Sequence, residues 1–215
     1  MKVGTDGVLL GAWARGGRRV LDAGTGTGII ALMMAQRYAE ARVTAIDIDD
    51  DAVREAAENV RLSPFASRVS VYCQSVQQHA GIWHGAAAQH TGEYDAVVSN
   101  PPFFSNSPEA PDRQRAMARH TATLTYGELM RSAWQLLAGD GELSVVVPFD
   151  YRRSMEDEAT FVGFFPSRVC AVRTTPRKPP RRFLLAFSKH PQSVERTEIT
   201  IGDEAYTRLT ADFYL

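Results

Sequence analysis

The chain has 215 residues, of which 44% are hydrophobic and 23% charged, and its formal net charge is −1. No apolar stretch approaches the length needed to span a bilayer, which excludes a helical membrane protein, and the neutral balance gives no general attraction to nucleic acid. We therefore expect one globular domain over residues 1–215. A cytoplasmic location is expected because the N-terminus lacks the layout of a secretory signal.

The first four-fifths of the chain alternate strand-like and helical patterns. Thr5 and Asp6 are typical N-cap residues and predict a first helix over residues 7–13. Short β-branched runs lie at residues 19–22, 42–48, 68–73, 94–99 and 142–148, with helical patterns at 29–38, 51–62, 76–83 and 126–137. This alternation predicts right-handed βαβ units and a parallel sheet with helices on both faces.

The pattern changes after residue 149. A helix over residues 151–162 is followed by two strand-like runs, residues 168–174 and 183–187, which the short sequence TPRKPPRR joins. Such a connection predicts a C-terminal antiparallel hairpin. The complete expectation is an α/β, Rossmann-like fold with a mostly parallel, seven-stranded sheet.

A glycine-rich loop, DAGTGTG, follows the first predicted strand and precedes a helix. Its glycines, Gly24, Gly26 and Gly28, permit positive φ and close approach of a ligand to the backbone. A dinucleotide fingerprint would need a third glycine where the chain has Ile29. The alternating pattern after Asp22 instead resembles the cofactor loop of S-adenosylmethionine-dependent methyltransferases, and the Asp22 carboxylate suits the ammonium of that cofactor.

Two further strand ends supply candidate cofactor contacts. Asp47 ends the second strand, where a carboxylate can accept both hydroxyls of a ribose, and Ile48 is expected to pack on the adenine ring. Many methyltransferases carry an aspartate after the third strand, whereas this chain has Gln74 and Ser75. We therefore expect the Ser75 hydroxyl or a backbone group to replace that aspartate.

The sequence Asn-Pro-Pro-Phe follows the fourth strand at Asn100, Pro101, Pro102 and Phe103. It resembles the active-site signature of methyltransferases that modify a planar nitrogen of adenine, guanine or a glutamine amide. The Asn100 side-chain oxygen and the Pro101 carbonyl can accept hydrogen bonds from such an amino group and stabilise the positive charge that develops on it. Phe103 can stack on the planar group.

Other polar residues give weaker signals. Cys73 and Cys170 lie in apolar runs and are expected to be buried, reduced thiols, and the spacing of His79, His84 and His90 does not predict a metal site. Residues 159–194 contain no acidic residue and seven basic ones. Four of these flank the hairpin turn and predict a phosphate-binding surface: Arg177, Lys178, Arg181 and Arg182.

Together, MKVGTDGVLLGAW, DAGTGTG, NPPFF, ARH (118–120) and the terminal DFYL resemble the bacterial tRNA adenine-N6-methyltransferase family that acts on valine tRNA. The resemblance implies methylation of an anticodon-loop adenosine just 3′ of the anticodon, with S-adenosylmethionine as cofactor. It places Thr5 and Asp6 beside the cofactor's methionine end. Family members carry a further N-terminal stretch, so it also predicts that a short N-terminal segment is missing here.

For the RNA, Arg119 and His120 are expected to contact phosphates around the extruded base together with the basic hairpin, in a monomer without metal. Guanine-N2 methylation of ribosomal RNA, DNA adenine methylation and glutamine methylation remain alternatives within the class. A noncatalytic cofactor-dependent RNA-binding module and a nicotinamide oxidoreductase are the alternatives outside it.

Overall fold

A computed structural model describes residues 4–82, 90–102 and 124–213. Phe103, Arg119 and His120, three of the candidate site residues, lie outside these ranges, as does His84. Within the described ranges, strands and helices alternate as far as residue 162. The strands are β1 (Arg19–Ala23), β2 (Arg42–Asp47), β3 (Val69–Cys73), β4 (Tyr94–Ser99), β5 (Leu137–Pro148), β6 (Phe165–Arg173), β7 (Arg182–Ser188) and β8 (Glu195–Thr200).

Polar side chains cap four of the seven helices in the described ranges. Asp49 accepts a hydrogen bond from the Asp51 amide (2.9 Å), as its N-cap position predicts, and Thr125 and Asp203 cap two later helices in the same way. None in the described ranges is long and apolar enough to cross a membrane. The helices are α1 (Thr5–Trp13), α2 (Ile29–Arg37), α3 (Asp50–Leu62), α4 (Val76–His79), α5 (Tyr126–Leu136), α6 (Arg152–Val162) and α7 (Glu204–Thr210), with a 3-10 turn at Phe149–Tyr151.

All the strands of the described ranges form one sheet in the order β3-β2-β1-β4-β5-β7-β6-β8. The strands from β1 to β5 pair in parallel, and β7 is antiparallel to both β5 and β6. The predicted βαβ units and the C-terminal hairpin are therefore confirmed. Because Pro148 pairs with Arg182, the hairpin turn lies at the same edge of the sheet as the carboxyl ends of the parallel strands.

The predicted strand count was wrong by one, because β8 pairs in parallel with β6 at the edge of the sheet. Its sequence, ERTEIT, has no apolar run, and Ile199 is its one buried residue. An edge strand with charged side chains buries little and resists pairing with other chains. Such a strand gives almost no hydrophobic signal in the sequence.

Successive residues of the central strands supply separate hydrophobic clusters on the two sides of the sheet. Val20 belongs to the cluster under α1, α2, α3 and α7, whereas the next residue, Leu21, belongs to the cluster under α4, α5 and α6. Side chains alternate across a strand, so both faces of the sheet are covered, as the parallel topology requires. Because helices cover both faces, a site in the described part of the sheet is expected at the strand ends.

One basic side chain of the acid-free stretch does not contribute to a phosphate-binding surface. Arg168 is 7% exposed, pairs with Glu142 (Nη2 to Oε1, 2.5 Å) and stacks on the Trp13 ring, 3.9 Å from its centroid. A buried arginine needs such a partner, because an unpaired charge in the interior is strongly destabilising. Arg168 therefore belongs to the interior and not to the phosphate-binding surface predicted at the hairpin turn.

Candidate active site

The glycine loop and the residues that follow β4 (Asn100–Pro102, here called the Asn100 turn) are neighbours at the carboxyl edge of the sheet. The strand order reverses between β1 and β4, and open α/β sheets bind ligands at such a switch point. The Ser99 hydroxyl at the end of β4 donates a hydrogen bond to the Ala23 carbonyl at the end of β1 (2.7 Å). This bond, which the sequence analysis did not predict, holds the two strand ends together.

Positive φ angles at Gly24 (76°), Gly26 (55°) and Gly28 (81°) shape the loop between β1 and α2. A Cβ at Gly28 would meet the Ala56 Cβ at 3.3 Å, whereas a Cβ at Gly24 would have no atom within 4 Å. Gly28 thus allows α2 and α3 to pack closely. Gly24 leaves open space at the switch point, as a backbone cradle for a ligand requires.

Substituting Gly28 by alanine is expected to lower the free energy of unfolding by at least about 1–2 kcal/mol, the cost of a left-handed conformation for a residue with a Cβ. Thermal unfolding checks this, with Gly139→Ala as the matched control. Gly139 lies in β5 with a negative φ and no atom within 4 Å of an added Cβ. Equal melting temperatures for the two variants would contradict the strain assigned to Gly28.

The Asp22 carboxylate is hydrogen-bonded to the glycine loop and to α2. It is fully buried, and its Oδ2 accepts hydrogen bonds from the Thr25 hydroxyl (2.6 Å) and the Ala31 amide (3.1 Å). Burial raises its pKa to about 7, against the opposing effect of these two bonds. Its second oxygen, Oδ1, is buried and accepts no hydrogen bond from the described residues. Such an oxygen can accept from a ligand, and the ammonium of an amino-acid group fits its charge.

Asp47 lies on the other side of the same loop. Its Oδ2 accepts from the Gly26 amide (2.9 Å) and its Oδ1 from the Asp49 amide (3.0 Å), so the carboxylate is fixed beside the glycines. Ile48 follows and is 41% exposed, which leaves its side chain free to contact a planar ring. The structure thus brings Asp22, Asp47, Ile48 and the glycine loop together.

Cys73 ends β3 and Ser75 lies just beyond it, and the expectation for Cys73 was wrong. The Ser75 hydroxyl accepts from the Gln78 amide and caps α4, so this oxygen already has a structural task. Cys73 was predicted to be buried but is exposed, because β3 is an edge strand whose outer side is open to solvent. Cys170 is buried as predicted.

His79 has a structural environment rather than a metal-ligand one. Its Nδ1 bonds to the Gln74 amide group (2.7 Å) and its Nε2 to the Tyr94 hydroxyl (2.7 Å), and its ring stacks on His90. Burial lowers its pKa to about 4, so the imidazole stays neutral at physiological pH. No cluster of three potential metal ligands exists in the part of the chain that the structure describes.

Asn100 and Pro101 follow β4 directly, beside the glycine loop. Asn100 Oδ1 is buried and has no hydrogen-bond partner among the described residues. Pro101 is buried and Pro102 exposed, and neither has an N–H to donate. A buried acceptor without a donor is costly, so its presence here indicates a place for a donor from a ligand.

Asp6, expected beside the cofactor, and Arg182, expected at RNA phosphates, form an ion pair in the structure. Asp6 accepts from Arg182 (Oδ2 to Nε, 2.8 Å), which joins α1 to the start of β7. Helix α1 begins at Thr5 with Gly4 as its N-cap and without a side-chain cap, so the predicted capping by Thr5 and Asp6 was wrong. The Asp6 carboxylate instead holds Arg182 at the site's edge of the sheet.

The remaining basic residues of the hairpin turn are exposed: Arg177, Lys178 and Arg181. Arg173 donates to the Lys178 carbonyl (2.6 Å), and the Arg181 carbonyl accepts from Arg182 (3.0 Å), so side chains of the strands hold the turn. The exposed cations of the turn are therefore attached to a backbone that these hydrogen bonds hold in place.

Comparisons with known proteins agree with this geometry. The family described as methyltransferase small domain matches residues 4–162. Proteins named tRNA1(Val) (adenine(37)-N6)-methyltransferase from Bacteroides fragilis and Parabacteroides distasonis are 43% and 44% identical, covering all of this chain and 91% of each relative. One of the same name from Serratia proteamaculans is 42% identical over all of this chain and 84% of its own length.

Solved structures share the fold. A predicted O-methyltransferase from Agrobacterium tumefaciens superposes with a TM-score of 0.75 at 16% identity, covering 96% of both chains. Geranyl diphosphate C-methyltransferase from Streptomyces coelicolor, solved with S-adenosyl-L-homocysteine, has a TM-score of 0.59 at 12% identity, covering 85% of this chain and 75% of its own. The glycine cradle and the buried Asp22 oxygen, which accepts no hydrogen bond from the described residues, fit S-adenosylmethionine as the cofactor. The chain belongs to the methyltransferase small domain family and, within it, to the tRNA1(Val) (adenine(37)-N6)-methyltransferases.

Proposed function

We propose that this protein transfers a methyl group from S-adenosylmethionine to the N6 amino group of adenosine 37 in tRNA1(Val). Relatives that carry this name match the chain over its full length. The single structural observation that carries the proposal is Asn100 Oδ1 beside the glycine loop, which is buried and has no hydrogen-bond partner among the described residues. An exocyclic amino group supplies the donor that this oxygen lacks.

The chemical problem is the low nucleophilicity of N6, whose lone pair is delocalised into the adenine ring. Bound S-adenosylmethionine supplies an electrophilic methyl group on a sulfonium. Asn100 Oδ1 and the Pro101 carbonyl accept hydrogen bonds from the amino hydrogens and place partial negative charge where positive charge develops. The N6–methyl bond forms as the methyl–sulfur bond breaks, S-adenosylhomocysteine leaves, and the extra proton of the alkylated N6 passes to solvent. The rate gain comes from position and electrostatics.

The cofactor-binding role is assigned to residues around the β1 and β2 ends. In this proposal the glycine loop and Asp22 hold the methionine end of the cofactor, Asp47 accepts from its ribose and Ile48 contacts its adenine. By the family resemblance, the proposal also assigns Thr5 and Asp6 to the methionine end of the cofactor and Ser75 to the place of the usual aspartate near its adenine. Ile29 begins α2 in the position of the third glycine of a dinucleotide fingerprint, which disfavours the nicotinamide alternative.

Mass mapping of the product tests the proposed function. The protein is incubated with methyl-labelled cofactor and total unmodified tRNA, and the labelled nucleoside is identified and located. We expect N6-methyladenosine at position 37 of valine tRNA. Label on guanine N2, on protein or on no RNA would contradict the proposal and favour one of the alternatives.

For the RNA contact, we propose that the exposed cations of the hairpin turn grip phosphates around the target. A double variant, Arg177→Ala with Arg181→Ala, is expected to weaken tRNA binding and to reduce the slope of log Kd against log salt by about 1–2, since each phosphate contact contributes roughly 0.7–0.9. Binding assays at several salt concentrations check this. Cofactor affinity is expected to stay the same.

The control for this test removes a comparable exposed arginine elsewhere. Arg208→Ala changes the last helix, where the side chain is 77% exposed and pairs only with Glu204 among the ion pairs of the described residues. Arg182 is unsuitable for the comparison, because its loss also releases Asp6. An unchanged salt slope in the double variant would remove the hairpin from the RNA surface.

A further inference from the structure

An exposed aromatic ring lies at the rim of the site, in the 3-10 turn that follows β5. Phe149 is 51% exposed although it comes directly after a buried strand. Ser99 of β4 pairs with Val145 of β5, so Asn100 lies level with Val146. Phe149 follows Val146 by three residues, in the direction of the carboxyl end of β5. At about 3.3 Å per residue, Phe149 is roughly 10 Å beyond the Asn100 level.

Packing and hydrogen bonding hold this ring in place. The Phe149 amide donates to the Arg181 carbonyl (3.1 Å), and its ring centroid is 6.0 Å from that of Phe183 at a tilt of 37°. Phe183 is 5% exposed, and the Arg152 guanidinium lies 4.4 Å from its centroid. One side of the Phe149 ring therefore packs on Phe183. A ligand that stacks on the other side loses little free energy in ordering the ring.

The charge around the ring selects the class of ligand. The hairpin turn that accepts the Phe149 amide carries the exposed cations Arg177, Lys178 and Arg181, and residues 159–194 contain no acid. Asp150 is the exposed carboxylate of the turn itself, and Arg153 beside it is exposed as well. A planar ring next to several cations matches a nucleobase with its phosphates, whereas an apolar peptide would leave the cations unused.

We propose that Phe149 stacks on a nucleobase that flanks the methylated adenosine and so positions the RNA for base extrusion. The inference rests on the proposed function and extends it, because it assigns a substrate-binding residue in the 3-10 turn after β5, outside the Asn-Pro-Pro-Phe turn. The phosphates next to the stacked base lie against the hairpin cations. Phe149 thus sets where the strand enters the site.

The test compares two exposed phenylalanines. Phe149→Ala is expected to raise both Kd and KM for tRNA by about 5- to 150-fold, the range for loss of one base–aromatic stack. Phe161→Ala is the matched control, because Phe161 lies on α6 with 82% of its surface exposed and is expected to leave both values unchanged. Phe149→Trp is expected to restore affinity, since it keeps an aromatic face.

Further measurements separate stacking from other effects. The salt slope of RNA binding and the affinity for S-adenosylhomocysteine are expected to match wild type in Phe149→Ala, because no charge and no cofactor contact is lost. Phe149→Leu keeps apolar packing on Phe183 and is expected to show the same loss of RNA affinity at an unchanged melting temperature. Phe149→Leu therefore tests the stacking role even if Phe149→Ala loses affinity because it is less stable.

The outcomes distinguish the two proposals. Equal Kd values for Phe149→Leu and wild type, or equal losses in Phe149→Ala and Phe161→Ala, would overturn the stacking role. If wild type methylates adenosine 37 in that case, the proposed function stands and Phe149 alone is wrongly assigned. RNA affinity is measured without turnover, so it tests Phe149 even if methylation occurs at another nucleotide.

Discussion

Replacing Asn100 by alanine is expected to lower the rate of methyl transfer by about 10²–10³-fold, the usual cost of removing one preorganised group from a charge-stabilising site. The physical reason is that Oδ1 is buried and has no hydrogen-bond partner in the described residues, so its acceptor capacity is left for the amino group. Single-turnover rates with saturating tRNA measure the effect.

The affinity for S-adenosylhomocysteine separates this role from a structural one. It is expected to be the same in wild type and Asn100→Ala, since the cofactor contacts are assigned to the glycine loop, Asp22 and Asp47. Asn100→Asp keeps an acceptor oxygen at the same place and is expected to retain more activity than the alanine variant. Equal single-turnover rates for Asn100→Ala and wild type would show that Asn100 does not stabilise the transition state.

The second large effect is a pH dependence of cofactor binding that originates at Asp22. Burial raises the pKa of this carboxyl to about 7, so it is mostly protonated at pH 6 and mostly ionised at pH 8. The cofactor's ammonium favours the ionised form, and binding should therefore strengthen by about tenfold between these pH values. Calorimetry with S-adenosylhomocysteine at both pH values measures this step.

Two variants assign the step to one carboxyl. Asp22→Asn cannot ionise and is expected to bind weakly with no difference between pH 6 and pH 8. Asp47→Asn is expected to weaken binding at both pH values and to keep a step at somewhat lower pH, because Asp22 is intact but loses the like charge that helps to raise its pKa. A wild-type affinity that does not change with pH, or a step that survives in Asp22→Asn, contradicts the proposed contact with the ammonium.

Local patterns in the sequence were enough to predict the parallel half of the fold. Short β-branched runs followed by helical patterns mark these strands and helices in the sequence, and β1 to β5 pair in parallel as expected. The eighth strand was missed because ERTEIT buries only Ile199. Exposure of Cys73 was missed because local sequence does not tell whether a strand lies at an edge.

The site shows the same division. The positions of the glycine loop and of Asn100 follow from their places after β1 and β4, since ligands bind at the carboxyl ends of parallel strands. The pairing of Asp6 with Arg182 joins residues 176 positions apart, and the burial of Arg168 depends on Glu142 in another strand. Such tertiary pairs have no local signal, so charge runs in the sequence overstated the free cations.

The central claim is that the Asn100 turn holds the N6 amino group of adenosine 37. A crystal structure of the complex with S-adenosylhomocysteine and an unmodified anticodon stem-loop tests it most directly. We expect N6 within about 2.7–3.2 Å of both Asn100 Oδ1 and the Pro101 carbonyl, on the side of the cofactor sulfur. An adenosine that binds elsewhere, or that presents another atom to these two acceptors, would contradict the account.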